Sequence, residues 1–96
     1  MYRTEFLFHP EDLETPAALS DTYTQILRRV GTAAKEADLV DPAIERRTFH
    51  VRRSGQPPYQ REEWTPGDSL DGVADVVCVV RWTGVPDPAT SGASDG

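Results

Sequence analysis

The chain opens on a two-residue alternation. Tyr2, Thr4, Phe6 and Phe8 fall on one side, and Arg3, Glu5 and Leu7 on the other. That period, with its aromatic content, predicts a strand over 2–8. His9-Pro10 ends it, because proline fixes its own backbone angle and has no amide for a ladder. An acidic connector, Glu11 to Glu14, follows. The pattern then changes period. Leu19, Tyr23, Ile26, Leu27, Val30, Ala33, Ala34 and Ala37 recur every three or four residues, which predicts an amphipathic helix over about 16–38. Thr15 suits its N-cap and Pro16 its first turn. Gly31 inside it costs about 1 kcal/mol relative to alanine, and a tight approach to the sheet would account for that. Asp41-Pro42 is the expected stop.

Alternation returns over 46–53, with Phe49 and Val51 inward and Thr48, His50 and Arg52 outward. Ser54 to Pro58 reads as a turn, and 59–64 as a short partner strand, making a hairpin. A glycine- and proline-bearing loop leads to the valine-rich segment 73–83, the strongest strand signal in the chain. The expected domain is therefore 1–84, with 85–96 a disordered tail rich in proline, serine and glycine. The architecture is α+β: one mostly antiparallel four-stranded sheet, in the order strand, helix and three strands, with a single helix on one face.

The last strand does not fit a sheet with one wet face. Ala74, Val76, Cys78, Val80 and Trp82 point one way, yet Val73, Val77 and Val79 point the other. One helix cannot cover both faces. A second copy of the chain could, so a homo-oligomer is expected, with Val73, Val77 and Val79 at its interface. Asp75 and Arg81 flank that second face, so a few exposed valines on a solvated surface remain the alternative.

Composition sharpens this in two respects. The 96 residues carry a net charge of −6, which repels nucleic acid and anionic membranes unless positive charge is gathered locally. It is gathered. Between Arg46 and Arg61 stand five arginines and no acid, a local +5 that leaves −11 elsewhere. Arg46, Arg52, Arg53 and Arg61, with Tyr59 beside them, are candidates to grip an anionic ligand or an acidic protein. Glu45, Glu62 and Glu63 border the window and could pair with the same arginines instead. A nucleic-acid-binding ribbon is a further alternative, which the acidity elsewhere disfavours.

Catalytic chemistry has few candidates. The two histidines, His9 and His50, could approach each other if their strands were neighbours, giving a general base in an intersubunit pocket. Cys78 is the one cysteine, so an internal disulfide is excluded, and its valine-rich setting predicts a buried, unreactive thiol. Tyr23 with Trp64 or Trp82 could line an apolar pocket between helix and sheet. No metal site, phosphate loop or cofactor motif is present in the residue pattern. The absence of a leader-like or membrane-length apolar run points to the cytoplasm. The leading expectation is a small oligomeric binding or accessory protein that uses the arginine-rich hairpin. An enzyme using His50 or His9 is the alternative.

Overall fold

In the computed structural model, which describes residues 1–88, the elements are β1 (Tyr2–Phe8), a 3-10 turn (Pro10–Asp12), α1 (Pro16–Glu36), β2 (Leu39–Arg53), β3 (Glu62–Trp64) and β4 (Val73–Pro86). The strands form one antiparallel sheet in the order β1-β4-β2-β3. The expected α+β architecture is what is observed. Its valine-rich strand, β4, is a central strand and pairs along its length with β1 on one side and β2 on the other.

The helix starts as its residues dictate. The Thr15 hydroxyl accepts a hydrogen bond from the Ala18 amide, and Pro16 occupies the first turn. It ends before Pro42, because Asp38 adopts a left-handed conformation (φ 57°) that caps it, and β2 begins at Leu39. Thr22, Ile26, Val30 and Ala34 are its buried stripe. Gly31 does not mark a close approach. A side chain added there would meet nothing within 4 Å, so its helix cost has no packing return.

α1 lies over one face of the sheet. There Phe6, Phe8, Phe49, Val51, Trp64, Val76, Cys78, Val80 and Trp82 join Leu13, Ile26, Val30 and Ala34 in one cluster. Both tryptophans are packing residues, nearly sealed from solvent. The Trp64 indole N–H donates to the Asp68 carbonyl and that of Trp82 to the Thr4 hydroxyl. Tyr23 packs half-buried against the same cluster, its ring 6.2 Å from that of Phe49.

Strand boundaries differ from the reading of the sequence at three places. β2 begins seven residues earlier than expected. Extra residues at Asp41-Pro42 and at Glu45 bulge out of the ladder, and these bulges let a proline and a left-handed Asp41 (φ 51°) sit within a strand. β3 is only three residues long. β4 runs on through Val85 and Pro86, which pair with Val40 and Leu39, and the Asp87 amide donates to the Asp38 carbonyl. Residues 85 and 86 of the expected tail are therefore strand, and 89–96 lie outside the described residues.

Candidate anion-binding face

The face of the sheet opposite α1 is not covered by any described element. Its residues are set by the register. Asp75, Val77, Val79 and Arg81 follow one another along β4, Arg52, His50, Thr48 and Arg46 lie beside them on β2, and Leu7, Glu5 and Arg3 complete the rows on β1. Val77 and Val79 are half-buried at the centre of this face. Val73 is not with them. Between Arg52 and Arg53 the register slips, the extra residue Ala74 turns the strand, and Val73 packs against the core instead.

The five arginines of the basic window separate into distinct roles. Arg52 Nη2 lies 2.8 Å from Asp75 Oδ2, to which its Nε also donates, and Arg61 Nη1 lies 2.8 Å from Asp75 Oδ1. Both atoms of the Arg61 ion pair are shielded from solvent. The Asp75 carboxyl is held below the usual carboxylate range, first by its hydrogen bond from Arg52 and then by Arg61, against the opposing push of desolvation. Arg53 donates to the Asp71 carbonyl and lies 3.5 Å from Glu62. Arg47 is on the helix side of the sheet, over the Tyr23 ring at 4.0 Å. The hairpin arginines are thus mostly satisfied within the chain, and the acid that does most of this comes from β4 rather than from the flanking glutamates.

Arg46 remains. Its cross-strand neighbour on β4 is Arg81, whose neighbour on β1 is Arg3. Three arginines from three adjacent strands therefore stand in one row. Arg3 has an ion pair with Glu5, two residues along its own strand. Among the described residues, no ion pair or hydrogen bond engages the guanidinium of Arg46 or of Arg81. Like charges directly across a sheet destabilise it, so this row is unfavourable while nothing negative lies on it. The three line a shallow concavity of about 540 Å³ with Thr48, His50, Glu63 and Val79. Guanidinium groups converging on one concavity offer forked donors to a carboxylate or phosphate.

Arg3 and Arg81 did not stand out among the residues of the sequence. Alternation places both on the outward face, but their adjacency to Arg46 depends on β4 lying between β1 and β2. Tyr59, by contrast, is exposed in the turn before β3 and is not part of the concavity.

The histidines are not brought together, because β4 separates the strands that carry them. His9 is exposed beyond the end of β1, where its backbone amide donates to Asp12. His50 lies on the open face opposite Glu63 of β3. Cys78 is fully buried, and burial pushes its thiol up to about 11, so it is a core residue and a poor nucleophile. No helix among the described residues is long and apolar enough to cross a membrane. Comparison of the chain with protein families, curated proteins and solved structures finds no match to any of them.

Proposed function

We propose that the protein is a small intracellular binding module that holds an acidic polypeptide segment against its open sheet face. The observation that carries this reading is the row Arg3, Arg81 and Arg46, in which like charges adjoin and, among the described residues, the guanidinium groups of Arg46 and Arg81 engage no acid. An energetically unfavourable arrangement kept at the surface is expected where a ligand relieves it. Two features select a polypeptide over a long polyanion. Val77 and Val79 supply an apolar floor beside the row, and the net charge of −6 repels an extended nucleic acid.

The test is fluorescence anisotropy with a labelled oligoglutamate peptide, and with a single-stranded oligonucleotide alongside it. The double variant Arg46→Glu/Arg81→Glu should bind the peptide at least about tenfold more weakly, since each charge-assisted contact contributes on the order of 1.5–3 kcal/mol. Arg53→Gln, at the satisfied end of the window, should bind as the parent does. Equal affinity of the double variant and the parent, or binding of the oligonucleotide alone, would overturn the reading.

A further inference from the structure

The two edges of the sheet are built differently. β3 is three residues long, follows the turn that carries Pro57-Pro58, precedes Pro66, and begins with two glutamates. Those are the features that keep an edge from pairing with another chain. β1 shares only the charge, and carries it in both signs, Arg3 and Glu5. It is seven residues of extended chain with no proline, glycine, lysine or bulge, and among the described residues it pairs on one side only. Of the six large apolar residues exposed on the described surface, Met1, Tyr2 and Leu7 belong to this strand or its first step.

We infer that β1 pairs antiparallel with β1 of a second copy, with Thr4 opposite the partner's Thr4, so that two sheets join into one of eight strands. The charges of β1 select this register. With Thr4 at the two-fold axis, Arg3 faces the partner's Glu5 and Glu5 faces the partner's Arg3. On the core side Tyr2 meets the partner's Phe6, and on the open side Met1 meets the partner's Leu7. All three exposed apolar residues are then covered. Moving the axis one residue toward the N-terminus opposes Arg3 to the partner's Arg3. Moving it one residue the other way opposes Glu5 to the partner's Glu5. Each of those shifts replaces attraction with repulsion at the strand centre. Registers that place even-numbered residues opposite odd-numbered ones would set the apolar face of one sheet beside the open face of the other. The chosen register keeps both helices on the same side, and such a twofold contact is self-complementary. It also places the interface at the edge, rather than on the Val77 and Val79 face where the alternation of β4 suggested it.

The experiment is sedimentation velocity of the full chain over a range of concentrations, with charge-reversal variants at two exposed positions. The parent chain should dimerise. Arg3→Glu alone and Glu5→Arg alone should each self-associate about tenfold or more weakly, because like charges then oppose at both symmetric positions. An equimolar mixture of these two variants should recover the dimer, since every repulsive pair becomes attractive in the heterodimer. Recovery also shows that neither variant had simply misfolded. A parent chain that stays monomeric overturns the proposal, as does a dimer that both single variants preserve. The outcome is separable from that of the anion reading, because Arg46→Glu alone changes a residue of β2, which β4 separates from β1, and should weaken peptide binding while dimerising normally.

Discussion

The two ends of the open sheet face start from the same material and finish differently. At each end β2 contributes an arginine, Arg52 at one and Arg46 at the other. β4 contributes Asp75 beside the first and Arg81 beside the second. Asp75 gathers Arg52 and Arg61 into a half-buried clamp. Arg81 instead extends the positive charge to Arg3. One position on the central strand decides whether a basic end is closed structure or an open site. A count of arginines along the chain could not make that distinction, because the deciding residue lies on another strand, 23 positions from Arg52 in sequence.

The sharpest way to break the comparison is to remove the acid. Asp75→Ala strands two guanidinium groups whose side chains are only about a quarter exposed. The expected loss is about 2 kcal/mol, between the fraction of a kcal/mol typical of exposed pairs and the larger cost of breaking a buried one. Urea denaturation measures it, and a loss below about 0.5 kcal/mol would show that solvent replaces the carboxylate. The sign of the pH dependence follows from the direction of the shift. A carboxyl held below its unfolded value contributes stability above that value, roughly pH 4, and loses it as the pH falls through the folded value. The clamp should therefore be constant from neutrality to about pH 4 and decay below it. In Asp75→Asn that acid-limb decline should be shallower, and an unchanged slope would assign it to other carboxylates.

These effects bear on what the chain alone could reveal. Local patterns carried the elements and the faces: the period of β1, the capped helix from Thr15, and the core side of β4 all followed from nearest neighbours in sequence. Non-local pairing was hidden. Leu39 to Ile44 forms a strand only because the far end of β4 runs beside it, and its aspartate and proline mask that locally. Val73 looked outward because alternation cannot anticipate an extra residue at Ala74. The site was legible in pieces. Arg46 belonged to the basic window, Arg81 flanked the second face of β4, and Arg3 pointed away from the aromatics. Their union needed the strand order.

A milder test converts one end into the other. Arg81→Asp would place a carboxylate between Arg46 and Arg3, as Asp75 places one against Arg52 and Arg61. Stability should rise by about 0.5–1 kcal/mol, because two like-charge neighbours become opposite ones at an exposed position. Oligoglutamate binding should be lost at the same time. Thermal unfolding and the anisotropy titration read the two effects separately. A gain in stability with affinity retained would separate the site from the arginine row. A loss in stability would mean that the row is already compensated by groups on the same face.

The smallest effect is expected from the remaining ion pair of the closed end. Arg53 and Glu62 are 3.5 Å apart, with side chains 38% and 54% exposed, so water and salt compete for both charges. Arg53 also donates to the Asp71 carbonyl, a contact that does not need the glutamate. Glu62→Gln should therefore change stability by less than about 0.5 kcal/mol, with little dependence on added salt. If it instead costs more than about 1 kcal/mol, the glutamate is coupled to the Asp75 clamp through the short β3 ladder, and a double variant with Asp75→Ala would show a loss smaller than the sum of the two. In that case the closed end is one network of three arginines and two acids. With the small effect, Asp75 alone accounts for the difference between the two ends.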